Sequence, residues 1–128
     1  MTANTYDVKG KVVIVTGAGT GIGAAITDAF LDNGATVVVA GRHSRATVVL
    51  AYSGSATTSE NVEIVVADGA QLEVVTVQQW DDAAVHAASH QARVGRDGLL
   101  RHVVVSFGGG VVRVNPSVEL AGTGSQGQ

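Results

Sequence analysis

The chain has no cysteine, one proline, and aromatic residues at only 4% of its 128 positions. Without thiols there is no disulfide and no thiolate ligand for a metal or cluster, and the redox compartment is left undetermined. Few rings and little proline exclude a core of aromatic clusters and a chain of rigid turns. Charged residues are sparse, and a net charge of −3 gives no general electrostatic case for nucleic acid. No apolar run reaches membrane-spanning length, and the N-terminus lacks a basic-then-apolar leader. The expectation is a soluble, cytoplasmic protein with no membrane partner. Lysine occurs only at Lys9 and Lys11.

What is abundant is glycine, 17 residues, within a hydrophobic fraction of 45% dominated by valine and alanine. Valine favours strands, and glycine supplies tight turns. The length is ample for one domain and short for two.

Lys11 to Val15 is an unbroken β-branched run, as in a strand buried on both faces. It leads into Thr16-Gly17-Ala18-Gly19-Thr20-Gly21-Ile22-Gly23. Ile22, Ala25, Ile26, Ala29 and Phe30 then recur at helical spacing and form one apolar stripe. Asn33-Gly34 stops that helix, and Ala35 to Ala40 reads as a second buried strand. A glycine loop between strand and helix lets a phosphate approach unpaired backbone N–H groups at the positive end of the helix dipole. Cβ atoms at Gly17, Gly21 or Gly23 would block the turn, the approach or the packing.

Residues 7 to 42 resemble the opening of a short-chain dehydrogenase/reductase. Thr16, Gly17, Gly21 and Gly23 meet that family's T-G-x-x-x-G-x-G fingerprint. The resemblance implies nucleotide contacts from Thr16, Gly17, Gly19, Thr20, Gly21, Ile22 and Gly23. Arg42 stands where NADP-dependent members carry a cation for the 2′-phosphate; the alternative is a solvated loop charge. The family also needs a Tyr with a Lys four residues later. The tyrosines here are Tyr6 and Tyr52, and both lysines precede the loop, so no Tyr-x-x-x-Lys exists. The expectation is no enzyme, no required cofactor, and at most weak NADP binding.

After Arg45 the period changes to two. Val62, Ile64 and Val66 alternate up to Asp68-Gly69, and Leu72, Val74, Thr76 and Gln78 alternate up to Trp80. After Asp97-Gly98, Leu99, Val103, Val105 and Phe107 share one face. Val112, Val114, Pro116, Val118 and Leu120 form a further stripe. Short alternating strands with glycine corners indicate a β-solenoid, sandwich or barrel. Ala84, Ala87, Ala88, Gln91 and Ala92 also permit an Ala-rich helix over Asp81–Val94; strand is preferred.

From Val48 to Gly124 the chain resembles the SufB/SufD scaffold family of iron–sulfur cluster assembly. The distinctive strings are Glu60-Asn61-Val62-Glu63-Ile64-Val65-Val66, Val77-Gln78-Gln79-Trp80, Ala92-Arg93-Val94-Gly95-Arg96-Asp97, Leu100-Arg101-His102-Val103-Val104-Val105 and Arg113-Val114-Asn115-Pro116-Ser117. The resemblance implies a parallel β-helix and, by analogy, contacts with cluster-assembly partners. The family's late histidine and cysteine have no counterpart, so a scaffold fragment is implied.

The combined expectation is a chimera, recombined or engineered. Its fold class is an α/β N-terminal βαβ, a Rossmann-like half unit, joined to a mostly β, parallel β-helix-like fragment of three or four coils. Residues 1–45 form the dinucleotide-binding-like segment, 46–124 the β-helix-like segment, and 125–128 a disordered tail. Its function would be structural and non-catalytic. Open coil ends point to a homodimer. His86 and His90 have metal-ligand spacing and His102 is the remaining candidate ligand, but surface or partly buried histidines are favoured and no metal site is assigned. Trp80 reads as a packing or corner residue, Asp81-Asp82 as a turn, and Gly108 to Gly110 as a turn rather than a second phosphate loop.

Overall fold

The computed structural model describes residues 12–16, 25, 28, 29, 32, 36–40 and 42–128. Nine strands run through them: β1 Val12–Thr16, β2 Thr36–Ala40, β3 Arg45–Gly54, β4 Thr57–Val66, β5 Gln71–Trp80, β6 Val85–Val94, β7 Leu99–Gly108, β8 Val111–Leu120 and β9 Gln126–Gly127. They form two parallel sheets, one ordered β2-β1-β4-β6-β8 and the other β3-β5-β7-β9. From β3 onward successive strands alternate between sheets, so the chain winds there as a parallel β-solenoid. Each coil contributes one strand of ten residues to each wall. Three coils are complete, and β9 begins a fourth.

The register is unbroken. Each residue of β3 pairs with the residue 26 positions later in β5, and each of β4 with the residue 28 later in β6. Because side chains alternate across a strand, in-register stacking sends like positions to the same side in every coil. The inward set includes Leu50, Val62, Ile64, Val66, Leu72, Val74, Ala92, Val94 and Leu100, which form one continuous core. The corners repeat as well. His43, Gly69, Asp97 and Gly124 occupy equivalent turn positions, and all have φ between 54° and 73°. A Cβ on Gly69 would lie 2.2 Å from His43 Nδ1, so the histidine of one corner sits over the bare glycine of the next.

The strand reading of Asp81–Val94 holds, since β6 occupies Val85–Val94 of it and a turn the rest. The β2–β1 pair is parallel, as expected of the N-terminal segment. The rest of that expectation needs correction. β1 also pairs with β4, Val13 to Val15 against Glu63 to Val65, so it extends a solenoid wall instead of forming a separate Rossmann-like sheet. The physical reason is that β1 and the edge of β4 are both parallel strands with open hydrogen-bonding edges. Between β1 and β2, Ala25, Asp28, Ala29 and Asp32 are helical; no complete βαβ unit is seen among the described residues. Ala25 and Ala29 of the apolar stripe are exposed, and Ile22, Ile26 and Phe30 lie outside the described residues.

Two further differences concern the last coils. Leu99, Val103, Val105 and Phe107 do share a face, but it turns outward, and Phe107 is 58% exposed. Leu100 and His102 take the inner side, because Leu100 pairs with buried Leu72 and His102 with buried Val74. Residues 125–128, expected as a disordered tail, begin the next rung. Gln126 and Gly127 pair with Leu99 and Leu100, and the Gln128 N–H donates to the Leu100 carbonyl. Backbone pairing needs no apolar side chain, which is why composition misread them.

Candidate functional site: a polar stripe inside the solenoid

Near the Trp80 corner the inward positions stop being apolar. Thr58 and Glu60 of β4, Thr76 and Gln78 of β5, and His86 and His90 of β6 all point inward; His102 and Ser106 continue the stripe in β7. Thr76, Gln78, His86 and His90 are buried. Alternation puts them there: Glu60 has the same parity as Val62, and His86 and His90 the same parity as Ala88 and Ala92.

Their contacts, all but the Gln78–Ser106 pair, link into one chain across three coils. The Tyr52 hydroxyl donates to Glu60 Oε2 at 2.8 Å. Thr58 Oγ1 lies 2.8 Å from His86 Nδ1. Glu60 Oε1 faces both imidazoles, 3.4 Å from His86 Nε2 and 3.8 Å from His90 Nε2. His90 Nδ1 lies 3.0 Å from His102 Nε2. The Ser106 hydroxyl donates to Gln78 Oε1 at 2.8 Å. Trp80 closes the corner, its ring centroid 4.9 Å from His86 and 5.8 Å from Tyr52.

One proton assignment serves every contact. Thr58 donates to His86 Nδ1, and His102 Nε2–H donates to His90 Nδ1. Both remaining Nε2–H groups then face an ionised Glu60. The electrostatics agree. Burial alone would raise the Glu60 carboxyl, but the His90 imidazole, the Tyr52 hydroxyl and the neighbouring His86 outweigh it and hold it below its ordinary value. Burial, then the bond and charge of Glu60, push the Tyr52 phenol up. Burial, then His90, keep the His102 imidazole below its ordinary range. Glu60 Oε1, His86 Nε2 and His90 Nε2 make no well-formed hydrogen bond, so the carboxylate–imidazole contact is electrostatic and loose. Among the described residues, no group of three or more His, Asp or Glu side chains is arranged to hold a metal ion.

The residues singled out from sequence fare differently. His86, His90 and His102 lie along one stripe, the first two fully buried where surface or partly buried histidines were favoured. Trp80 is the corner residue expected. Thr16 ends β1, while Gly17, Gly19, Thr20, Gly21, Ile22 and Gly23 lie outside the described residues. Arg42 is exposed at a corner, with Nη2 3.9 Å from Asp68 Oδ2; Arg96 reaches the same oxygen at 3.9 Å. Glu60, Tyr52 and Gln78 were missed as site residues. The available signal was a polar residue at an inward position of an alternating strand.

A parallel β-solenoid with an in-register core and a polar inner stripe defines a stacked-coil class of scaffold. Within that class the chain belongs to the SufBD core domain family of SUF system FeS cluster assembly, whose profile matches residues 24–128. It is 43% identical over 83 residues to an iron–sulfur cluster assembly SufBD family protein of Mycobacterium tuberculosis, covering 65% of this chain and 21% of that one. A Mycobacterium leprae member is 40% identical over 87 residues, 68% of this chain and 22% of that protein. The chain thus spans about a fifth of the length of these relatives. A short match also links it to the NADP-dependent (R)-specific alcohol dehydrogenase of Lentilactobacillus kefiri, 60% identical over 40 residues, 31% of this chain and 16% of that enzyme. No solved structure matches. The family match begins at residue 24, well before the Val48 start read from sequence, and so overlaps the dehydrogenase-like segment.

Proposed function

We propose that the chain is a structural segment of an iron–sulfur cluster assembly scaffold, a solenoid wall that engages assembly partners and performs no hydride transfer. The observation that carries this reading is the SufBD profile match over residues 24–128. The three stacked coils over the same residues support it. The absence of any Tyr-x-x-x-Lys in the sequence argues against reductase chemistry. The coexistence of SufBD-like and dehydrogenase-like stretches supports a recombined origin.

The test is retention of SUF assembly partners by the immobilised chain. Saturable retention that is lost in Leu100→Asp, which places a charge in the core, is the expected result. No retention by a folded chain refutes the reading.

The second reading, weak NADP binding, is favoured by the alcohol dehydrogenase match. Arg42 and Arg96 share a cleft of about 370 Å³ with His43, Asp68, Gly69 and Asp97. Asp68 already engages both guanidinium groups, so a phosphate there competes with a carboxylate. That supports weak affinity at best.

A further inference from the structure

We propose that the His90–His102 contact is a pH-operated latch holding the third coil of the solenoid to the second. The two rings belong to different coils and opposite walls. His90 sits in β6 and His102 in β7, and Nδ1 of one meets Nε2 of the other at 3.0 Å. A contact of that length accommodates one N–H between the two nitrogens. With both rings doubly protonated, N–H would meet N–H, and the rings must part.

The surroundings separate the two rings. Glu60 of β4 faces His90 Nε2, and the His90 charge opposes a second one on His102. His86, on the same strand, shares Glu60 Oε1, and Tyr52 of β3 binds the other carboxylate oxygen. β5 places Val74 beside His102 in register, with Thr76 and Gln78 farther along the inner face. β8 offers Val114 and Pro116, and at β9 the main-chain oxygen of Gln128 is taken by the His102 N–H at 2.8 Å. Among the described residues Glu60 is therefore the carboxylate that faces the pair, and it already faces two imidazoles. The second proton, on His102, finds a cation at 3.0 Å and no free carboxylate within the stripe. His102 is half-buried in the last complete coil, so it escapes by turning out to water. β7 then loses its bond across the lumen, while the Ser106–Gln78 bond remains.

The sign follows from the lowered ionisation of His102. The folded state binds the proton less readily than the unfolded state, so the contribution is full above the ordinary histidine value of about 6.5 and is lost as pH falls below it. His102 belongs to the last complete coil, so the effect is local to β7–β9.

Hydrogen exchange of the full chain at about pH 7.5 and about pH 5, corrected for the intrinsic pH dependence, tests this. Protection in β7 and β9 is expected to fall severalfold, while β5 changes less. In His102→Gln, which donates to His90 but does not ionise, the acid loss in β7 should disappear. Equal loss in all strands, no loss in β7, or an unchanged loss in His102→Gln would each overturn the latch. If His102→Gln does not fold, the wild-type comparison of β7 with β5 decides alone.

Discussion

Replacing Glu60 by Gln keeps the shape of the side chain and removes its charge. In the native chain Oε2 accepts the Tyr52 hydroxyl at 2.8 Å, while Oε1 faces two imidazole nitrogens at 3.4 and 3.8 Å. A Gln amide has one acceptor for these two sides. Whichever side receives the oxygen, the NH₂ meets donors on the other. A hydrogen bond to a charged group contributes about 1.5–3 kcal/mol and a neutral one about 0.5–1.5, with about 1–3 more for a buried donor left unpaired. Glu60 retains 21% exposure, and water relieves part of the conflict, which places the expected loss near the low end. We expect about 2 kcal/mol at neutral pH, read as a lower urea midpoint at unchanged slope. The pH dependence sharpens the test. The native Glu60 carboxyl lies below its ordinary value, so its stabilisation is present above the unfolded value of about 4.3 and is lost as pH falls through the folded one. Wild type and Glu60→Gln should therefore converge in acid. Equal stability at neutral pH, or a gap that persists unchanged at low pH, refutes the carboxylate–imidazole account.

Leu100→Ala, at a position with no exposure, should cost about 2–5 kcal/mol in urea unfolding, whereas Val103→Ala on the same strand, 38% exposed, should cost far less; equal costs would mean the inward face of β7 is misassigned. Gly108→Ala should destabilise more than Gly54→Ala. Both have positive φ, but a Cβ at Gly108 would sit 2.1 Å from the Trp80 carbonyl oxygen and one at Gly54 meets nothing within 4 Å, so matching thermal midpoints would contradict the close approach. NADPH titration followed by fluorescence should show weak binding that prefers NADP over NAD and loses the preference in Arg42→Ala; equal affinities in the unaltered chain would refute an Arg42 phosphate contact. The 128-residue chain exposes Phe107, Val111, Val118 and Leu120 on its last coil and should sediment as a dimer at micromolar concentration; a monomer at high concentration would refute this.

Much of the fold was legible from local pattern. Val62, Ile64 and Val66 alternate between glycine corners, as do Leu72, Val74, Thr76 and Gln78, and period two with turn residues is a local property of a half-buried strand. The preference for strand over helix at Asp81–Val94 rested on the SufB/SufD likeness, and β6 bears it out. The packing role of Trp80 was likewise readable, as the only tryptophan beside a turn. Three things were decided only by tertiary structure. β7 carries apolar residues on both parities, so its pattern could not choose a face; stacking on β5 turned Leu100 and His102 inward. β1 reads as a strand of a nucleotide-binding sheet, yet which open edge it joins depends on a partner about fifty residues away, and that partner is β4. His102 follows His90 at a distance that says nothing about contact. Only the coil repeat, which brings β7 across the lumen from β6, sets the two imidazoles 3.0 Å apart beside Glu60.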